Sequence, residues 1–208
     1  MKEKRLLSLI AAFSLVFTGA ATYVPTGVYA EENVQMENLV QGKTTIASST
    51  ANGYGPEYAV DGVTSEAVQW NSADMKNWGA ASGSSKDSEE QTAQWIQIDR
   101  GEDAEEEDIS SIRLWYNMKV WPMEYELYTA DESTLTAGST DVDLNNWTSL
   151  VSVSRPSANG LVANGEGQNI ADTSANTDTI TTTSSPALAV DAKLKRYVLM
   201  YIRKVNAQ

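Results

Sequence analysis

The chain of 208 residues contains no cysteine and no histidine. Without cysteine there is no disulfide staple, no thiolate nucleophile and no sulfur to carry an N-terminal lipid, so stability has to come from packing or a bound ion. Without histidine, the Ser-His-Asp and Cys-His machineries, the commonest general base and the usual zinc and copper sites are all excluded. Positive charge is scarce as well, with 15 Lys and Arg against 28 Asp and Glu and a formal charge of −13. So acidic a chain repels the phosphates of nucleic acid and of anionic lipid headgroups, which argues against both as partners.

Long apolar runs are missing except at the N-terminus. There Lys2, Lys4 and Arg5 precede an apolar stretch over residues 6–21, followed by Pro25, Gly27 and the small-residue site Val28-Tyr29-Ala30. This is the plan of a secretory signal. The apolar stretch is shorter than the roughly 18 residues that a membrane anchor wants. The expected organisation is a cleaved signal at 1–30, a polar leader at 31–41 and one domain at 42–208, secreted or held at the cell surface. Cleavage after Ala30 leaves 178 residues and, by removing Lys2, Glu3, Lys4 and Arg5, a charge of −15. That length suffices for one core burying about two-thirds of the surface of the unfolded chain.

Beyond the leader, apolar and polar residues alternate with period two in short runs divided by Gly, Ser, Asn and Asp, the pattern of antiparallel strands. Strands are predicted near 44–49, 94–99, 110–116, 124–130, 147–153, 176–183 and 196–204. Gln94-Trp95-Ile96-Gln97-Ile98-Asp99 and Arg196-Tyr197-Val198-Leu199-Met200-Tyr201-Ile202 carry the β-branched and aromatic content that suits a pleated sheet. A single helical turn is expected at Pro56-Glu57-Tyr58-Ala59-Val60, opened by a proline where the lost amide costs least. In Ala59-Val60-Asp61-Gly62 the carboxylate can tie the next loop while the glycine supplies a backbone angle that other residues avoid. Two polar stretches, 72–93 and 154–175, exceed an ordinary connection and are expected to be either functional or disordered.

Six carboxylates stand in seven residues at 102–108. Adjacent like charges repel unless a cation sits among them, so this run reads as a solvated turn. Paired carboxylates are the main enzymatic possibility left, yet Glu124 and Glu126 fall in one predicted strand with the same parity, whereas a glycosidase sets two acids across a cleft. Catalysis is therefore not expected.

Three stretches together resemble the coagulation factor V/VIII type C, or discoidin, domain, and within it the family 32 carbohydrate-binding modules of secreted bacterial proteins. They are Asn38-Leu39-Val40-Gln41-Gly42-Lys43 with Ala47-Ser48-Ser49, Tyr58-Ala59-Val60-Asp61-Gly62 and Trp70; the Gln94–Asp99 run with Ile109-Ser110-Ser111-Ile112-Arg113-Leu114; and the run at Arg196 to Ile202. The resemblance implies an all-β fold, an antiparallel jelly-roll sandwich whose loops hold ligand at one end. By the same resemblance a structural calcium ion would take Asp61 with backbone carbonyls around Tyr58, Thr64 and Val68, oxygen ligands of the kind calcium prefers. Family members usually have Ser or Thr where Val68 stands, and many end in a further strand carrying a glutamate. The resemblance therefore implies either that this strand follows Gln208 in the natural protein or that the polar leader takes its place, and linked domains are expected beyond Gln208. Many sugar-binding members also use a histidine, which puts galactose-type specificity in doubt.

A sugar site needs an aromatic face and a few fixed polar groups. Of the six tryptophans, Trp70, Trp95, Trp115 and Trp147 lie in or beside predicted strands and read as packing residues. Trp78 and Trp121 lie in loops. The loop at 116–121 corresponds to one that commonly contacts ligand in sugar-binding members, so Trp121 is assigned as platform, with Asn117 and Lys119 as donors. The alternative is that Trp121-Pro122 plugs the end of the sandwich. Trp78 would form a flap over the same end or else be a stray tryptophan in a disordered loop, and Arg203 would reach that end from the last strand. The functional expectation is a non-catalytic carbohydrate-binding module, part of a larger secreted glycoside hydrolase or surface protein acting on host or plant glycans. Adhesion to protein or phospholipid and a purely structural spacer are the competing readings, the former opposed by the acidity.

Overall fold

The computed structural model of the chain describes residues 5–10, 14–18, 37–63, 70–72, 93–115, 122–154 and 177–205. Ten strands lie among the described residues: β1 (Arg5–Ile10), β2 (Ser14–Thr18), β3 (Thr44–Ala47), β4 (Gln94–Asp99), β5 (Glu107–Trp115), β6 (Pro122–Ala130), β7 (Thr148–Ser154), β8 (Thr177–Thr181), β9 (Lys193–Leu194) and β10 (Tyr197–Val205). All seven predicted strands are present; the one at 94–99 matches β4, and the others differ by up to three residues at their ends. Among the described residues the only helical piece is the 3-10 turn Pro56–Ala59, with proline in its first turn.

One sheet is antiparallel throughout, in the order β3-β4-β10-β6-β7. The second is built on β5, which pairs antiparallel with β8 along its length and with β9 at its start. The N-terminal strands β1 and β2 pair antiparallel with each other and also lie against β5, β2 antiparallel and β1 as the one parallel pairing among the described residues. Both fall inside the expected export signal, so cleavage after Ala30 would remove them.

The alternation read from the sequence explains how the sheets face each other. Ile96 and Ile98 of β4, Tyr125 and Leu127 of β6, and Val198, Met200 and Ile202 of β10 project to one side, against Ile112 and Leu114 of β5. Trp70, Ala59 and Val60 close this core from the connections. The Tyr125 hydroxyl donates to Asp178 Oδ2 across the sandwich at 2.8 Å, so one buried ring both packs the core and links the sheets. This is an antiparallel β-sandwich.

The outer face of the five-stranded sheet carries a second apolar cluster. Trp95, Tyr128 and Leu199 are buried there, on the parity opposite to the core row of their strands. Residues 131–147, joining β6 to β7, fold over them with Leu135, Val142, Leu144 and Trp147. The Trp95 indole donates to the Ser139 carbonyl at 2.9 Å, and the Gly138 amide to the Ala47 carbonyl at 3.0 Å. Trp95 and Trp147 are thus packing residues as expected, but on the outer face of this sheet, Trp95 beneath the covering segment and Trp147 within it, rather than between the sheets.

Trp115 departs from the expectation. Ile112 and Leu114 point into the core, so Arg113 and Trp115 share the opposite face, where the Arg113 guanidinium lies 5.8 Å from the Trp115 ring centroid. A period of two cannot place both Leu114 and Trp115 inside.

Candidate functional site

Strand register defines two ends of the sandwich. Trp115 pairs with Thr177, Glu124 with Ser154, Val205 with Pro122 and Ile202 with Gln94. The end of β5, the start of β6, the end of β7, the start of β8 and the end of β10 therefore gather at one end, together with the start of β4. Asn117, Lys119 and Trp121 belong to the connection from β5 to β6, and Trp78 to the stretch that enters β4 from Ser72. These four lie outside the described residues, and it is the strand ends flanking them that the structure fixes.

A buried polar network holds the base of this end. The Ser48 and Ser49 hydroxyls both donate to Gln94 Oε1, at 2.7 and 2.6 Å, and Trp70 Nε1 donates to the Ser49 carbonyl at 3.1 Å. Ser48 Oγ also accepts the Trp95 amide at 3.0 Å. These bonds tie the residues after β3 to the start of β4 as a floor at this end, with Gln94 Nε2 buried and without a partner among the described residues.

Arg203 is described. It leaves β10 on the outer face of the five-stranded sheet, beyond the cover of residues 131–147, and not into the loops. Its Nε and Nη2 both reach Glu126 Oε2 at 2.7 Å, and its guanidinium stacks 4.7 Å from the Tyr201 ring centroid. Burial works against the cation, but the hydrogen bond and charge of Glu126 outweigh it and raise the Arg203 pKa. Beside them the Tyr128 phenol is pushed up, first by burial and then by Glu126, with Arg203 opposing. This cluster was only partly legible in the sequence. Tyr201 shares strand and parity with Arg203, whereas Glu126 and Tyr128 come beside it only through the register of β10 with β6.

The Asp61 turn has the expected form. Gly62 takes φ 85°, a backbone conformation strained for any residue with a Cβ, and Asp61 Oδ1 accepts the Val63 amide at 2.7 Å. The Gly42 amide donates to the Val60 carbonyl at 2.6 Å, so this turn sits beside the segment entering β3, away from Gln94. Of the expected calcium ligands, Tyr58 and Asp61 are described, while Thr64 and Val68 lie outside. Asp61 brings one carboxylate with one oxygen already accepting an amide. Among the described residues no three Asp or Glu gather to hold a metal. What is present fits a calcium site only if carbonyls supply most of the ligands.

At the far end, residues 100–108 line an open groove of about 1300 Å³ with Lys43 and Lys193. Glu102, Asp103, Glu105 and Glu106 are exposed there, as a solvated turn requires. Glu107 pairs with Arg100 and Asp108 with Lys193. Arg100 is the structural centre of this end. It is 6% exposed, and its Nη1 donates at 3.0 Å to the carbonyls of Glu105, Leu194 and Lys195. Burial pulls its pKa down against the support of Glu107.

No family model matches the chain, and no curated protein matches it in sequence. Among solved structures it is similar to chitosan-binding module 2 of a chitosanase/glucanase from Paenibacillus sp. IK-5, in complex with chitotriose. The identity is 22% over 81% of this chain and 88% of that one, with a TM-score of 0.46. It is also similar to the family 32 carbohydrate-binding module of C. perfringens NanJ in complex with galactose, at 13% identity over 79% and 92% of the two chains and a TM-score of 0.42. A third is a C. perfringens module, CpGH89CBM32-4, in complex with GlcNAc-α-1,4-galactose, at 11% identity over 90% and 99% and a TM-score of 0.41. The fold class itself rests on this chain's own strand register, which is that of an antiparallel β-sandwich.

Proposed function

We propose that the chain is an exported, non-catalytic carbohydrate-binding module whose ligand meets the end of the sandwich at which β5, β6, β7, β8 and β10 have their termini. The observation that carries this reading is the convergence of strand ends: the connections bearing Trp78, Asn117, Lys119 and Trp121 all depart from one end, over the Ser48–Ser49–Gln94 floor. An aromatic platform with a few fixed polar groups is the usual plan of a sugar site.

The acids support a binding role over a hydrolytic one. Glu124 and Glu126 stand on one strand and one face, and Glu126 is held by Arg203, whereas glycoside hydrolysis needs two carboxyls flanking one bond. The reading includes cleavage after Ala30, tethering beside a catalytic or anchoring domain in a larger protein, and a structural calcium at Asp61 that steadies its loop. Tethering compensates for weak intrinsic affinity, because a linker sets a high effective concentration. Glycans of host or plant surfaces are the expected class.

A glycan array probed with the wild-type chain, Trp121→Ala and Trp78→Ala tests the reading. Binding to a defined set of glycans that is lost in Trp121→Ala is expected. Absence of binding to any glycan, or binding that survives both changes, overturns the proposed site.

A further inference from the structure

The outer face of the five-stranded sheet is covered over only half its length. Residues 131–147 shelter Trp95, Leu199 and most of Tyr128, and leave the half toward the loop end open. On that open half stands an ordered charged cluster. Arg203 is 47% exposed and Glu126 21%, the two are joined at 2.7 Å, and the guanidinium is stacked on Tyr201. Register sets Glu126 between Tyr201 and Ser152, and Glu124 between Lys204 and Ser154, so exposed serine hydroxyls extend the same surface toward the loops.

We propose that Arg203 and Glu126 form an outlying subsite for an oligosaccharide, taking the hydroxyls of a sugar unit one or two residues along the chain from the unit held at the loop end. The proposal rests on the carbohydrate-binding reading and extends it from the loops onto the sheet face. Three features carry it. An exposed ion pair adds little to stability, so its worth to the fold does not account for its ordering. Contact with the Tyr201 ring, 4.7 Å from its centroid, holds the guanidinium over the sheet beside the Glu126 carboxylate. Adjacent donors and acceptors are what neighbouring sugar hydroxyls require, since each hydroxyl both gives and takes a hydrogen bond. The mutual neutralisation of Arg203 and Glu126 points to a neutral unit, not a uronic or sialic acid. Because β10 and β6 are rigid strands, the subsite is held ready and loses little entropy on binding.

The test is titration calorimetry of the full chain with mono- to tetrasaccharide series of glucose, galactose and N-acetylglucosamine, using wild type, Arg203→Met and Glu126→Gln. Arg203→Met keeps the stem over Tyr201 and removes the donors. Expected is affinity that rises with ligand length in the wild type, and a loss of about tenfold in both variants for tri- and tetrasaccharides with no change for the monosaccharide. Thermal midpoints within a degree or two of wild type show that the sheet is intact. Equal affinity of variants and wild type at every length overturns the subsite and leaves the loop-end reading standing. An equal loss at every length, monosaccharide included, also overturns it, because the pair would then belong to the primary site. No binding of any series overturns both.

Discussion

Arg196 grips Asp99 with two hydrogen bonds of 2.9 Å, Nε to Oδ1 and Nη2 to Oδ2, tying the last residue of β4 to the residue before β10. The same carboxylate accepts the Gly101 amide at 2.8 Å, so one side chain fixes a strand pair and the turn that follows.

This pair sets a pH dependence. The hydrogen bond from Arg196, helped by Gly101 and opposed by burial, holds the Asp99 carboxyl below the ordinary carboxylate range. A depressed pKa contributes stability that is complete above the unfolded value and is lost as pH falls through the folded one. Asp99→Asn should therefore lower the urea midpoint at pH 7, and the gap from wild type should narrow as the pH is taken below about 4. A gap that stays constant from pH 7 to pH 2 would show that the bonds matter and the charge does not.

Arg100 should be far less replaceable. Its removal leaves the Glu105, Leu194 and Lys195 carbonyls without their shared donor and the Glu107 carboxylate without its partner. Arg100→Met is expected to cost about 3 kcal/mol in chemical denaturation, and Arg100→Lys nearly as much, because an ammonium cannot span those positions. Full stability in the lysine variant would contradict this account.

The cover over the sheet can be probed at Trp95. Trp95→Ala should cost about 3–5 kcal/mol, as expected for a fully buried large aromatic. Trp95→Phe keeps most of the packing and loses the indole bond to Ser139, for about 1 kcal/mol. Limited proteolysis should then cut first within 131–147. Cutting elsewhere at the same rate as in the wild type would mean that Trp95 does not hold the cover down.

Calcium is tested by its removal. If the Asp61 turn holds the ion, chelation should lower the thermal midpoint of the wild type and leave Asp61→Asn, already lacking the charged ligand, nearly unchanged. Identical midpoints with and without chelator in the wild type would exclude a stabilising calcium.

The strands were legible because each inner row is apolar and each alternates, as in Tyr125, Leu127 and their neighbours Glu124 and Glu126. The Asp61-Gly62 turn was legible because only glycine takes its backbone angle readily. What escaped is the second buried face. Trp95 and Ile96 are both apolar, so β4 does not announce which row meets the core, and its cover is irregular chain whose Leu135, Val142 and Leu144 follow no period. Trp115 was misplaced by residue type, where the alternation Ile112-Arg113-Leu114-Trp115 already put it outside. Arg203 was expected at the loop end from its position near the end of the last strand, and its side chain turns instead to Glu126 and Tyr201. Glu126 needed the register of β10 with β6, which no local pattern contains.

Arg100 also bears on the order of events in folding. The groups it joins lie 94 and 95 residues apart, and β4 pairs with β10 across a similar span. Contacts so distant along the chain make for slow closure. A polypeptide emerging N-terminus first cannot place β10 between β4 and β6 until almost all of residues 1–205 have been synthesised. β10, the central strand of the β3-β4-β10-β6-β7 sheet, thus reaches its place after the four strands it completes, and that sheet cannot close until synthesis has passed Val205.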